Sequence, residues 1–117
     1  AKTTTRLSVV DDQIGCPTYT KDLAAAVDLL ISQNQRGIFH VTNRGHCSWY
    51  EFAVRILKEA GVDNEVKPIK TSQLKSPAMR PAYSVLSMQK FITLTGKTPQ
   101  PWQLALQDYL KNIKKIN

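Results

Sequence analysis

The chain has 117 residues, of which 42% are apolar and 21% charged, a composition typical of a globular domain and not of a disordered segment. No apolar run approaches the roughly 18 residues that a membrane span needs, and residues 1–6 lack the apolar core of a signal peptide. Two cysteines are too few for a disulfide framework. We therefore expect a cytoplasmic protein without a membrane partner.

The formal net charge of +7 is concentrated in the second half of the chain. Residues 1–66 carry seven Lys or Arg and eight Asp or Glu, whereas residues 67–117 carry nine Lys or Arg and one Asp, a net charge of +8. This basic half predicts an anionic partner. The charges alone do not distinguish between a nucleic acid, a phosphorylated small molecule and an acidic protein. A solvated surface with a basic tail explains the same charges without a partner.

The first third of the chain has the pattern of a βαβ unit. Residues 7–10 predict a short strand, and residues 20–35 predict a helix that Thr20 caps and Gly37 ends. The apolar run 38–41 then predicts a buried strand parallel to its neighbours. The apolar stripe of the helix consists of Leu23, Val27, Leu30 and Ile31.

The remainder predicts three helices and one edge strand. Ser48 and Glu51 have the spacing of a capping box, which starts a helix that ends at Gly61. Residues 66–69 form a short strand, placed at an edge because Pro68 cannot donate to a ladder. A proline-bounded loop over 70–83 follows, then a helix capped by Ser87 and ended by Gly96, and a last helix over 101–113. Both tryptophans, Trp49 and Trp102, stand at helix starts and are expected in the core.

Neither catalytic nor metal-binding patterns are present. The five glycines, at positions 15, 37, 45, 61 and 96, are too far apart for a phosphate-binding loop, and no tyrosine is followed four residues later by a lysine. The residues Cys16, His40, His46 and Cys47 lack the spacing of metal ligands. Two or three short strands also leave helix faces that need a larger sheet. The chain therefore reads as a fragment of a larger α/β protein.

Several stretches, taken in order, carry a family resemblance. Asp-Gln-x-Gly-x-Pro-Thr stands at 12–18 and Arg-Pro-x-x-Ser-x-Leu at 80–86, with further agreement at 37–41, 48–53 and 101–110. Together they resemble dTDP-4-dehydrorhamnose reductases, members of the extended short-chain dehydrogenase/reductase superfamily. The resemblance covers roughly residues 6–113.

The resemblance implies the C-terminal two-fifths of a Rossmann-type reductase. Residues 6–45 would complete the Rossmann sheet as a βαβ unit, and residues 46–117 would form a small, mainly helical substrate-binding lobe. The part that binds NADPH or NADH, with its glycine-rich loop and catalytic tyrosine, would lie N-terminal to this chain. We therefore expect the chain alone to be inactive.

Four residues are candidates for binding the substrate. Arg80 is expected to contact a diphosphate, because its guanidinium makes planar bidentate contacts; the alternative is a surface arginine on a loop. Gln13 and Thr18 lie on a strand-to-helix turn and are expected to line the substrate pocket. The alternative for Thr18 is that it only shapes the turn with Pro17. Tyr83 either stacks on the base or sugar or packs under the lobe.

The expected function is to bind the nucleotide-sugar in a reductase that converts dTDP-4-dehydro-L-rhamnose to dTDP-L-rhamnose, a precursor of cell-surface polysaccharide. The partner is then a dTDP-sugar and not a nucleic acid, and a homodimer is left open. The alternative is a non-catalytic basic module that binds nucleic acid through residues 67–117, although that half lacks a nucleic-acid motif.

Overall fold

The computed structural model describes residues 6–74 and 78–116, and the chain passes three times between two units. The first unit contains residues 1–15 and 46–85, and the second contains residues 16–45 and 86–117. The strands are β1 (Arg6–Val10), β2 (Ile14–Gly15), β3 (Cys47–Ser48) and β4 (Glu65–Ile69). The helices are α1 (Thr20–Ser32), α2 (Trp49–Ala60), α3 (Gln89–Thr95) and α4 (Trp102–Ile116), with a 3₁₀ turn at Thr71–Gln73.

Parallel pairing of β1 with β4 organises the first unit. The register sets Arg6 beside Glu65 at one end and Val10 beside Ile69 at the other, and α2 contacts both strands. The ladder continues one step further, since the Asp11 amide donates to the Ile69 carbonyl at 2.9 Å. The unit is therefore a βαβ arrangement built from β1, α2 and β4, and both strands have their carboxyl ends at the same edge.

The start and end of α2 confirm the capping prediction. The Ser48 hydroxyl accepts from the Glu51 amide at 3.0 Å, and the Glu51 carboxylate accepts from the Ser48 amide at 3.0 Å. The helix ends at Gly61, whose φ of 70° lies in the left-handed region that glycine adopts without steric cost. Leu57 is buried on the inner face of this helix.

The second unit packs helices around a buried polar residue. Asn43 is only 1% exposed, and its side-chain oxygen accepts from the Tyr19 amide at 2.6 Å. Its amide nitrogen donates to the Asp22 carboxylate at 2.7 Å and to the Gln100 carbonyl at 3.2 Å. The buried apolar side chains of this unit are Ala26, Phe91, Trp102, Ala105 and Leu106.

The positions of β4, α3 and α4 confirm the predicted elements of the second half. The strand predicted over 66–69 is present with one more residue, and α4 extends beyond the predicted range 101–113. The last turn of α3 ends at Gly96, with a φ of 72°. Ser87 accepts from the Gln89 amide at 3.3 Å, although Met88 is the residue at the cap position itself.

The prediction of a buried strand over 38–41 is wrong. These residues have no ladder partner among the residues that the structure describes, and Ile38 is 77% exposed. A strand requires a neighbouring strand to receive its hydrogen bonds, and an apolar run cannot supply one by itself. The division of the chain at residues 45 and 46 stays a prediction.

The predicted ends of α1 also need correction. Thr20 is the first helical residue, and Tyr19 occupies the cap position without a side-chain hydrogen bond. The helix ends at Ser32, and Asn34, with a φ of 54°, takes the left-handed conformation before Gly37 is reached.

The apolar stripe of α1 is largely exposed in this chain. Leu23, Val27 and Ile31 are 38%, 47% and 69% exposed. This agrees with the expectation that helix faces in this sequence need more sheet than it provides. Among the described residues, no helix is long and apolar enough to cross a membrane.

The capping box of α2 gives a test of stability. Replacing Ser48 by Ala removes the side-chain acceptor of the Glu51 amide, which should lower the free energy of unfolding by about 1 kcal/mol. Thermal denaturation followed by circular dichroism measures the change. The matched control is Ser87→Ala, whose longer, exposed contact at 3.3 Å should contribute less than half as much. Equal losses for the two variants would contradict this account.

Candidate functional site

A pocket of about 500 Å³ lies in the first unit, within the range of volumes that bind small molecules. Its walls mix apolar side chains with an amide, a hydroxyl, an indole and a guanidinium. The lining residues are Val10, Gln13, Trp49, Thr71, Leu74, Ala78 and Arg80.

The fold places this pocket beside the carboxyl ends of two parallel strands. Val10 ends β1, with Gln13 three residues later, and Thr71 begins the 3₁₀ turn two residues after β4 ends. Trp49 is the first residue of α2, the helix between these strands. In open α/β sheets, ligands bind outside the carboxyl ends of the strands. The pocket therefore occupies the position where such a fold holds its ligand.

Asp12 and Thr71 form a tight contact that joins the segments after β1 and β4. The Thr71 hydroxyl donates to Asp12 Oδ1 at 2.6 Å, and the Thr71 amide donates to both carboxylate oxygens at 3.0 Å. These bonds favour the ionised carboxylate, so first the hydroxyl and then the amide lower the pKa of Asp12 below its ordinary value of 3.8. The neighbouring Lys70 ammonium lies 2.9 Å from Asp11, which raises the pKa of Lys70.

Gln13 continues this hydrogen-bond chain towards the pocket. Its side-chain nitrogen Nε2 donates to Thr71 Oγ1 at 3.2 Å, and the residue is only 9% exposed. A buried amide held at one end has a fixed orientation, which is what a binding site needs from a polar group. Gln13 thus lines this pocket, and its role in binding substrate stays a prediction.

Arg80 lines the same pocket from the loop after the 3₁₀ turn. The residue is exposed, and none of the carboxylates that the structure describes lies within ion-pair distance of it. Pro81 follows directly and biases Arg80 towards an extended backbone. An arginine without an acidic partner beside a pocket keeps its five donors available for an anionic ligand.

The prediction that Trp49 belongs to the core is wrong, whereas the same prediction for Trp102 is confirmed. Trp102 is 6% exposed, but Trp49 is 56% exposed and lines the pocket. The Trp49 ring meets Phe52 edge to face, with centroids 6.3 Å apart, so part of the indole packs and the rest stays open. A position in the first turn of a helix does not by itself bury an aromatic ring.

The other two candidate residues do not join this pocket. Thr18 belongs to the second unit, where its hydroxyl donates to the Cys16 carbonyl at 3.1 Å, the turn-shaping contact considered above. Tyr83 is 64% exposed, and its ring lies edge to face with His46 at 6.3 Å. The structure thus brings together Gln13 and Arg80, and it adds Trp49 and Thr71, which the sequence did not single out as ligand contacts.

A signal for Thr71 was nevertheless present in the sequence. Polar residues follow both parallel strands directly, Asp11 to Gln13 after β1 and Lys70 to Thr71 after β4. Because carboxyl ends of parallel strands share one edge, these two polar segments had to meet once β1 and β4 paired.

Among residues 6–74 and 78–116, no group of three or more His, Cys, Asp or Glu side chains converges as metal ligands would.

The chain matches the family model of the RmlD substrate binding domain over residues 1–115. It is 49% identical over 111 residues to the spore coat polysaccharide biosynthesis protein SpsK of Bacillus subtilis, a match that covers 95% of this chain and 38% of that protein. It is 40% identical over 104 residues to a dTDP-4-dehydrorhamnose reductase of Mycobacterium tuberculosis, covering 86% and 34% respectively. The chain thus spans less than two-fifths of the length of these relatives.

Two solved structures share this fold at substantial sequence identity. A dTDP-4-dehydrorhamnose reductase from Clostridium acetobutylicum aligns with a TM-score of 0.91 and 41% identity, covering 97% of this chain and 40% of that one. The corresponding protein of Bacillus anthracis, in complex with NADP, aligns with a TM-score of 0.89 and 37% identity, covering 95% and 40%. These matches confirm the predicted α/β fold class of a Rossmann-type extended reductase.

The contact between Asp12 and Thr71 predicts a measurable pKa change. The pKa of Asp12 is lower in the folded chain than in the unfolded chain. The contact therefore stabilises the fold at pH values above the pKa of the unfolded chain, and this stabilisation is lost as the pH falls through the pKa of the folded chain. Thr71→Val removes the hydroxyl, the largest cause, and should raise the pKa of Asp12 towards 3.8 while the backbone bond remains. Thr71→Ser should keep it low. Carboxyl-carbon NMR titration measures both, and an unchanged pKa in Thr71→Val would contradict the assignment.

Proposed function

Because the chain belongs to the RmlD substrate-binding domain family, we propose that it is the nucleotide-sugar-binding portion of an NAD(P)H-dependent dTDP-4-dehydrorhamnose reductase. The complete enzyme would convert dTDP-4-dehydro-L-rhamnose to dTDP-L-rhamnose. The observation that carries this proposal is one pocket lined by Arg80, which has no carboxylate partner among the described residues, and by the buried amide of Gln13.

Arg80 is the residue that we assign to the diphosphate. A nucleotide-sugar carries two adjacent phosphates, and a guanidinium can donate two parallel hydrogen bonds to such a group. The exposed indole of Trp49 offers a flat surface in the same pocket, on which a base or a sugar ring can stack. Binding the part of the substrate that does not react would hold the C4 ketone in place for reduction.

The described residues do not form a site for a nicotinamide dinucleotide. The glycines are dispersed, with Gly15 in β2, Gly61 after α2 and Gly96 after α3 for example, so no glycine-rich loop among the described residues gathers the backbone amides that a pyrophosphate requires. We therefore assign NADPH or NADH to the additional length that the relatives possess, and the role of this chain is to bind and orient the sugar nucleotide.

The alternative of a nucleic-acid-binding module has little support from the basic half. Lys70 pairs with Asp11 at 2.9 Å, and Lys90 donates to the Ile38 carbonyl and lies 4.4 Å from the centre of the Phe39 ring. These two ammonium groups are engaged within the chain. A nucleic-acid interface needs its cations free to face phosphates.

The proposed product would be a sugar donor for cell-surface polysaccharide, which agrees with the spore coat polysaccharide role named for the Bacillus subtilis relative. We place the reaction in the cytoplasm, as the small number of cysteines favours. A homodimer stays a prediction.

Arg80→Ala tests the assignment of the diphosphate contact. Loss of a charge-assisted hydrogen bond of about 1.5–3 kcal/mol should weaken dTDP binding by roughly 10- to 150-fold. Arg80→Lys should recover only part of the affinity, because an ammonium lacks the planar fork. Isothermal titration calorimetry of the 117-residue chain with dTDP gives the dissociation constants.

The matched control for Arg80→Ala is Arg36→Ala. This exposed arginine lies in the second unit, and its removal causes the same change in net charge. The control should bind dTDP within about twofold of the parent, since exposed charges act weakly at physiological salt. If both variants weaken dTDP binding equally, Arg80 contributes only through the net charge of the chain. If Arg80→Ala binds dTDP as the parent does, Arg80 does not contact the diphosphate.

The chain by itself should not oxidise NADPH in the presence of dTDP-4-dehydrorhamnose. It lacks the glycine-rich loop and the tyrosine–lysine pair that the resemblance assigns to a preceding part of the reductase. Absorbance at the nicotinamide band, followed with the purified chain, measures turnover. A rate clearly above that of buffer, in a preparation free of complete reductase, would contradict the proposal.

A further inference from the structure

The hydrogen atoms of the Asp12, Thr71 and Gln13 chain can be assigned from its distances. A hydroxyl has one hydrogen, and Thr71 gives it to Asp12 Oδ1, since the short distance of 2.6 Å joins it to an acceptor-only carboxylate. Thr71 Oγ1 can then only accept from Gln13, 3.2 Å away. The atom of Gln13 that faces Thr71 must therefore be the nitrogen of the amide, so the chemistry fixes an orientation that atomic positions alone often leave ambiguous.

This assignment leaves the other atom of the amide for a ligand. Gln13 Oε1 has no hydrogen-bond donor among the residues that the structure describes, although Gln13 as a whole is 9% exposed. No fully buried side-chain oxygen or nitrogen in the described residues lacks a hydrogen-bond partner, so Oε1 retains some exposure to solvent. Gln13 lines the pocket, and its side-chain oxygen is an acceptor that no described residue engages.

We propose that Asp12 and Thr71 are positioning residues that hold the Gln13 amide with its oxygen ready to accept a hydrogen bond from the bound nucleotide-sugar. The donor on the ligand is an uncharged O–H or N–H group, from a sugar hydroxyl or from the base. This inference rests on the proposed function of the pocket. It adds a polar contact of opposite character to Arg80, because Gln13 Oε1 accepts where the guanidinium donates.

The arrangement explains why a residue with a hydroxyl stands at position 71. Serine would preserve the hydroxyl, and valine would preserve the shape but remove both the donor to Asp12 and the acceptor for Gln13. Without that acceptor the Gln13 amide can rotate, and its nitrogen can then face the ligand donor in place of the oxygen. A fixed acceptor also allows a site to reject analogues that lack the matching donor.

The test compares Thr71→Val with Thr71→Ser in binding dTDP-L-rhamnose, on the 117-residue chain and by calorimetry. Thr71→Val should weaken binding about 3- to 10-fold, the effect of one ordinary hydrogen bond, and Thr71→Ser should stay within about twofold of the parent. Circular dichroism confirms that each variant is folded.

Gln13→Met supplies a second arm that does not depend on how Thr71→Val folds. It removes the acceptor directly and should weaken binding by a similar factor. In the Gln13→Met background, Thr71→Val should cause no further loss, because a positioning residue has no effect once the group that it positions is gone. A merely structural role for Thr71 would make the two losses multiply, and that result would overturn the inference.

Comparison of dTDP with dTDP-L-rhamnose locates the donor on the ligand. A loss on Thr71→Val with both ligands supports a donor in the nucleotide, and a loss with dTDP-L-rhamnose alone supports a sugar hydroxyl. Parent-like affinity of a folded Thr71→Val for both ligands overturns the inference while leaving the proposed function intact. Absence of binding by the unsubstituted chain overturns the proposed function, and this inference with it.

Discussion

Parallel pairing of β1 with β4 is the constraint on which the first unit and its pocket depend. The two strands are separated by more than fifty residues, and their register sets Val10 beside Ile69. Because the strands are parallel, the polar segments that follow them emerge at one edge of the sheet. Asp12 and Thr71 close that edge with three hydrogen bonds, which join the segments that follow β1 and β4.

The chemistry of the pocket follows from this edge. The Asp12 and Thr71 contact orients Gln13, the start of α2 presents Trp49, and the loop after the 3₁₀ turn brings Arg80 to the same cavity. The site thus combines a cation, an acceptor and an aromatic surface on separate elements held by one strand pair. Such a set suits a ligand with an anionic, a hydroxylated and a flat part, which describes a nucleotide-sugar.

The sequence predicted the elements that local chemistry determines. The Ser48 and Glu51 capping box, the stop at Gly61 and the last helix are confirmed, because each depends on residues within a few positions. The strand over 38–41 failed because a strand depends on a distant partner. Gln13 was proposed from its place on a strand-to-helix turn, and Arg80 from its loop and the family motif. Thr71 and Trp49 were not proposed as ligand contacts, since their places in the pocket follow from the long-range register of β1 with β4.

The most direct measurement of the central claim is an NMR titration of the chain with dTDP-L-rhamnose, following side-chain signals. The account predicts saturable shifts of the Gln13 amide, the Trp49 indole and the Arg80 guanidinium, with the indole of buried Trp102 unchanged. The account would be contradicted if dTDP-L-rhamnose caused saturable shifts only in residues outside the pocket and left the signals of these three side chains unchanged.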